Sequence, residues 1–252
     1  MERLQAGKAQ IKADWNRKTP FRYLYLDDFF YPEKAEALLA AYPEPGDEEW
    51  DHTTYINQKN KYQRTTFEPG SVLQRAFDEL NSRAFLDFMT ELTGIEEPLQ
   101  ADPKLFGGGL HQSVNGAFLD VHVDYNIHPE TKMHRRLNIL VYMNKNWKEA
   151  YEGHLELWDM DNNEQLERIA PLFNRMAMFE TNQISYHGHP KPLKTPAGVS
   201  RKSLAAYYYT HERPANELAP EHNTKYVNTE GVQGQVKNLK SGVKALFERV
   251  KK

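Results

Sequence analysis

The side chains able to hold a metal are concentrated in one stretch of the chain. Seven of its ten histidines fall between His111 and His189. There is no cysteine, which excludes thiolate zinc sites, iron–sulfur clusters, disulfides and cysteine nucleophiles, so any metal must be held by His, Asp or Glu. Gly116 through Asp124 reads as a strand, and side chains two apart on a strand share a face. His122 and Asp124 therefore point the same way. An imidazole and a carboxylate converging there supply two of the three ligands of a 2-His-1-carboxylate triad, which leaves open positions on Fe(II) for a chelating co-substrate and O2. The third ligand must be a distant histidine. His187 and His189, both on one side of the extended Ser185-Tyr186-His187-Gly188-His189, compete for that place.

Fourteen residues after His187, Arg201-Lys202-Ser203 opens another strand. Arginine presents a rigid, permanently charged fork that pairs bidentately with a carboxylate. Arg201 can thus anchor the far carboxylate of a dicarboxylic keto acid. Ser203, two residues on, faces the same way and can add a hydroxyl bond.

These residues need a frame, and the text between them supplies one. From about 105 to 210 the chain runs in short β-type stretches (116–123, 137–143, 154–158, 175–179, 183–187 and 203–209), separated by turn-formers such as Asp161-Asn162-Asn163 and the 190–198 segment. Many short strands at this spacing suggest a sandwich or barrel. The expected fold is mainly β with flanking helices around a double-stranded β-helix, a jelly roll. Helices are expected over 6–18, 32–41 (with Pro32 at an early position), 71–80 and 83–92 (closed by Gly94), and a strand over 21–30. The expected organisation is an N-terminal buttress at 1–104, the core at 105–212, and a polar tail with an amphipathic helix at 213–252. In that helix Val232, Val236, Leu239, Val243, Leu246 and Val250 recur at helical steps.

Composition narrows the function. Thirty-two Lys and Arg against 35 Asp and Glu leave a net charge of −3, too balanced for a nucleic-acid binder. No apolar run is long enough for a signal peptide or a membrane span, so the expectation is a soluble, cytoplasmic protein without membrane or nucleic-acid partners. The C-terminal helix offers a homodimer contact or a pack onto its own domain.

His-x-Asp, some sixty residues, His, then Arg-x-Ser resembles the pattern of the 2-oxoglutarate-dependent oxygenases. Leu140 through Trp147, with Pro171-Leu172-Phe173-Asn174-Arg175, resembles their prolyl 4-hydroxylase-like branch. The resemblance covers roughly residues 105 to 210. It implies His122, Asp124 and His187 as Fe(II) ligands, Arg201 as the anchor of the 2-oxoglutarate far carboxylate, and Tyr142 as a second hydrogen-bond donor to it, beside Ser203. The implied activity is a dioxygenase that hydroxylates an unactivated C–H bond with succinate and CO2 as co-products. O2 is consumed, and ascorbate fits as a reductant. The substrate is expected to be a prolyl residue of a protein or peptide, or a small metabolite. Specificity contacts are expected in the Tyr125–Arg136 segment, with Tyr125, His134 and Arg135 named for it.

Two departures stand out. Gly153-His154 replaces a glycine pair common in the family, which puts a bulkier side chain near the site, and 125–136 carries no known substrate-recognition sequence. The alternatives are desaturation or cyclisation on the same iron, a non-catalytic jelly-roll binding module, and a hydrolytic zinc site. Arg201, Ser203 and Tyr142 would have no purpose in the last two.

Overall fold

A computed structural model describes residues 2–45, 50–55 and 58–227. The expected C-terminal amphipathic helix lies outside them.

Local chemistry sets the helices. Pro32 stands in the first turn of α2 (Pro32–Ala40), where its missing N–H leaves nothing unpaired. Ser71 caps α3 (Val72–Leu80) by accepting from the Gln74 N–H at 3.1 Å, and Ser82 caps α4 (Arg83–Thr93) in the same way. Gly94 ends α4 in the left-handed conformation. The first helix, α1, spans Glu2–Asn16. Between these helices and after them, the described residues form twelve strands in one antiparallel sheet.

In chain order the strands are β1 (Tyr23–Leu26), β2 (Asp51–Tyr55), β3 (Gln58–Arg64), β4 (Gln100–Ala101), β5 (Gly109–Val123), β6 (His134–Tyr142), β7 (Leu155–Asp159), β8 (Glu164–Ile169), β9 (Met176–Glu180), β10 (Tyr186–His189), β11 (Arg201–Thr210) and β12 (Lys225–Tyr226). Their main spatial order is β1-β9-β6-β11-β5-β10-β7-β8, with β3 also on β5 and β2 on β3. The long β5 turns the corner. Its first half pairs with β11 and β3, and its last residues pair with β10 and β12. The sheet curls into a nearly closed jelly roll, the double-stranded β-helix expected from the sequence.

Alternation divides its two faces. On β6, Leu137, Ile139 and Val141 pack with the helices in the main core, as do Met176 and Met178 of β9 and Leu204, Ala206 and Tyr208 of β11. The intervening positions, among them Asn138, Leu140, Phe179, Arg201 and Ser203, face a cavity inside the roll. Helices thus cover one face of the sheet with apolar contact, and the other face is free to carry polar chemistry.

Several elements depart from the expected boundaries. The β2–β3 hairpin, the first half of β5, and β8 were not anticipated, and β12 forms within the stretch expected to be an extended tail. β3 and the first half of β5 carry part of the polar inner wall of the cavity, so the apolar alternation that announces a half-buried strand is missing from them. β8 (Glu164–Ile169) is likewise mostly polar and only partly buried.

Candidate active site

His122 and His187 are direct cross-strand partners on β5 and β10, with ring centroids 4.3 Å apart. Gly188 permits this approach: a Cβ there would lie 2.8 Å from the Leu119 carbonyl oxygen and 2.9 Å from that of Asp120. Asp124, two residues beyond His122, completes a cluster whose donor atoms all lie within 4.8 Å of one another. His122 Nε2 is 3.6 Å from Asp124 Oδ1, and His187 Nε2 is 3.4 Å from Asp124 Oδ2.

The tautomers follow from the backbone. His122 Nδ1 lies 2.8 Å from the Asp120 carbonyl, and His187 Nδ1 lies 2.9 Å from the Ser185 carbonyl. A carbonyl oxygen only accepts, so each Nδ1 carries the proton and each Nε2 presents its lone pair to the cavity. Burial, reinforced by His122, pushes the His187 pKa down to about 3. Burial alone would raise that of Asp124, but Arg135 and the two histidines hold it well below the usual carboxylate range. A neutral His187 imidazole and an ionised Asp124 suit metal binding, and a set of two imidazoles and one carboxylate fits Fe(II).

The carboxylate itself is held from behind. Asn138 Nδ2 donates to Asp124 Oδ2 at 2.7 Å, and Arg135 Nη2 lies 3.1 Å from the same oxygen. Arg135 is buried, bonded to Asn138 and stacked against Tyr207 at 3.7 Å and Tyr125 at 4.6 Å. It supports the metal cluster and also lines the cavity. His134, also named for substrate contact, does not line the cavity, whereas Tyr125 does.

Arg201 enters the same cavity of about 300 Å³ from β11, a volume at the small end of the roughly 300–1,000 Å³ usual for ligand sites. Its Nε donates to the Gly153 carbonyl at 2.6 Å and its Nη2 to the Tyr142 hydroxyl at 3.2 Å. Gly153 has φ +75°, and a Cβ there would meet Leu193 at 2.4 Å, so no other residue fits beneath the guanidinium. Tyr142 is fully buried behind Arg201 and does not itself line the cavity. Burial raises its pKa against the pull of Arg201, so it keeps a proton to donate. Ser203, opposite Tyr142 in register, lines the cavity.

All three proposed ligands, Arg201 and Ser203 thus meet in one cavity, with Tyr142 one contact away. His189 shares the cavity without joining the donor cluster, displaced by a register shift between His187 and His189. His154 turns away to Glu149, 2.9 Å distant, and does not line the cavity. Sequence reasoning missed Lys61, Asn138, Thr224 and Tyr226, all of which line it. Asn138 alternates with Leu140 and Tyr142 on the inner face of β6 and was discoverable by period 2. Tyr226, tilted against the His122 ring at 5.3 Å, had no local signal.

A family model described as the 2OG-Fe(II) oxygenase superfamily matches residues 108–209. Among solved structures, a Trichoplax adhaerens prolyl hydroxylase in complex with a hypoxia inducible factor peptide fragment is similar in fold, with a TM-score of 0.59 at 16% identity over 83% of this chain and 93% of that one. A Pseudomonas putida prolyl-4-hydroxylase gives 0.55 at 17% identity over 80% and 99%, and a Phytophthora capsici prolyl 4-hydroxylase 0.56 at 21% over 87% and 67%. No functionally curated protein matches the sequence.

Proposed function

We propose that this chain is a 2-oxoglutarate-dependent Fe(II) oxygenase, the family whose model matches residues 108–209, that His122, Asp124 and His187 hold the iron, that Arg201 anchors the co-substrate, and that the enzyme hydroxylates a prolyl C–H bond in a peptide. The reaction converts R–H, 2-oxoglutarate and O2 into R–OH, succinate and CO2. Bound Fe(II) supplies the oxidising chemistry in this family.

The chain's own residues have separate tasks. The two Nδ1–H bonds fix both imidazoles with Nε2 inward, and Asn138 and Arg135 occupy one oxygen of Asp124, which leaves the other side of the carboxylate toward the metal position. Arg201 meets the distal carboxylate of the keto acid with its free guanidinium edge, Ser203 adds a hydroxyl bond, and Tyr142 holds the guanidinium from behind. Phe179, Leu140, Leu155 and Tyr226 line the remainder and exclude water while the co-substrate is held.

The observation that carries this reading is the coexistence of the His122, Asp124 and His187 cluster and the Arg201 guanidinium in one cavity. An inert binding module or a hydrolytic zinc site has no use for the second. The prolyl class rests on the substrates of prolyl hydroxylases that share only the fold, so its test must reach beyond fold. Purified protein with Fe(II), ascorbate and 2-oxoglutarate is expected to release succinate in an O2-dependent way, faster with proline-containing peptides than with the same peptides bearing alanine. Fe(II)-independent turnover would overturn the oxygenase mechanism. Stimulation only by low-molecular-weight metabolites would overturn the peptide assignment.

A further inference from the structure

Lys61 is the one charged group of the cavity wall that the reading above leaves unused. It projects from β3, in a cross-strand row in which Lys61 stands opposite Ser113 of β5 and Ser113 stands opposite Arg201 of β11. The small Ser113 separates the two cations. A register shift between Lys59 and Lys61, with Asn60 at φ 52°, marks a bulge. Bulges re-aim side chains, and this one brings Gln58, Lys61 and Gln63 onto the cavity wall together while Lys59 stays exposed.

The charge inventory of the wall is uneven. Among the described residues its cations are Lys61, Arg135 and Arg201, and its only anion is Asp124. Arg135 is spent on Asp124. Arg201 has only neutral partners, the Gly153 carbonyl and the Tyr142 hydroxyl. Lys61 has no side-chain hydrogen bond or ion pair among the described residues. Two cations therefore face the cavity without countercharge, and the co-substrate brings two carboxylates.

Resting on the functional reading above, we infer that Lys61 is a second co-substrate anchor, gripping the carboxylate next to the keto group of 2-oxoglutarate while Arg201 grips the distal one. It lines one cavity with both ends of the site, Asp124 of the metal cluster and Arg201. It in turn acts on His111 and His189. Burial, with Arg201 and Arg135 against Asp124, lowers the lysine pKa to about 8. An arriving carboxylate reverses the imbalance and drives the amine to its charged form.

The same carboxylate chemistry could come from the primary substrate, and the test separates the sources. Calorimetric titrations use protein loaded with Mn(II) as a redox-inert stand-in, with two ligands: 2-oxoglutarate, and 2-oxopentanoate, which keeps the keto acid end but lacks the distal carboxylate. Lys61→Met is expected to weaken both acids about tenfold or more, which corresponds to at least ~1.4 kcal/mol, and Lys61→Arg to restore most of it. Arg201→Ala should weaken 2-oxoglutarate and leave 2-oxopentanoate nearly unchanged. At pH 8.5, binding to the unsubstituted protein should take up a fraction of a proton, read from the dependence of the heat on buffer ionisation enthalpy, and Lys61→Met and Lys61→Arg should abolish that uptake. Mn(II) affinity reports that each variant is folded, and the arginine variant tests the charge should the methionine variant fail to fold. If Lys61→Met or, in its place, Lys61→Arg binds 2-oxopentanoate as the unsubstituted protein does with the same proton uptake, Lys61 does not hold this carboxylate, and a role toward the primary substrate replaces the inference. If the unsubstituted protein itself binds no 2-oxoglutarate, the oxygenase reading fails first.

Discussion

The two ends of the cavity are built in opposite ways. At the metal end, each imidazole is held by a carbonyl two residues earlier in its own strand: Asp120 for His122 and Ser185 for His187. At the co-substrate end every support comes from far along the chain. Arg201 rests on Gly153 and Tyr142, 48 and 59 residues away. The strands beneath it, β5 and β11, are tied by the buried Tyr42 hydroxyl, which reaches the His111 carbonyl at 2.8 Å and the Ser203 carbonyl at 3.0 Å. Local bonds let the ligand tautomers survive modest movements of the roll, whereas the anchor depends on the whole roll being closed. Metal binding and co-substrate binding should therefore respond separately to substitution.

The largest expected effect is at the metal end. His122→Ala, Asp124→Ala and His187→Ala should each abolish measurable Mn(II) binding in calorimetry, while His189→Ala, outside the donor cluster, should leave it nearly intact. Loss of metal in His189→Ala with retention in His187→Ala would reverse the ligand assignment.

Next comes the other end. Arg201→Ala should cost on the order of 3–5 kcal/mol of 2-oxoglutarate binding, the usual loss for one partner of a buried pair, or roughly a hundredfold to several-thousandfold. Arg201→Lys should recover only part, since an ammonium lacks the planar fork. Mn(II) affinity without the keto acid should stay the same in both. If it fell in parallel, the two ends would not be separable.

Asn138→Leu probes a support that bridges into the metal end from β6. Removing the amide that holds Asp124 Oδ2 should weaken Mn(II) binding about ten- to hundredfold, as losses of groups behind a ligand commonly do. The effect on 2-oxoglutarate, measured at saturating metal, should be smaller. The reverse ranking would show that Asn138 belongs to the co-substrate end.

The smallest effect tests the long-range tie. Tyr42→Phe removes a buried hydroxyl from two carbonyls and from the Ser203 N–H, which donates to it at 3.2 Å, and should cost about 1–3 kcal/mol of stability in urea denaturation. A few-fold loss of 2-oxoglutarate affinity with unchanged Mn(II) affinity is the expected signature. Unchanged affinity for both would mean that β5 and β11 keep their register without it.

The same contrast explains how much of the molecule was legible beforehand. The capped helices and the strands β6, β7, β9 and β11 announced themselves because apolar residues packing under the helices alternate with others at the period of a strand. β3, Gln-Lys-Asn-Lys-Tyr-Gln-Arg, gave no such signal, since its inner positions line a polar cavity and a bulge at Asn60 breaks its alternation. Lys61 was lost with it. The pairing of Arg135 with Asp124 was hidden for a related reason: only the packing of Tyr125 and Tyr207 around the guanidinium shows that it turns inward to the carboxylate.

What the sequence determined by itself is the part that depends on one strand at a time. Period 2 puts His122 and Asp124 on one face whatever else the chain does, and the absence of cysteine restricts the donors to nitrogen and oxygen. The pairing of β10 with β5 decided that His187 rather than His189 meets them, because a register shift after His187 and the closeness allowed by Gly188 are properties of two strands together. The pocket under Arg201, the amide behind Asp124 and the lysine across from Ser113 likewise exist only once the roll is closed. Each joins residues from strands far apart in the chain, and no local pattern encodes a distance between them.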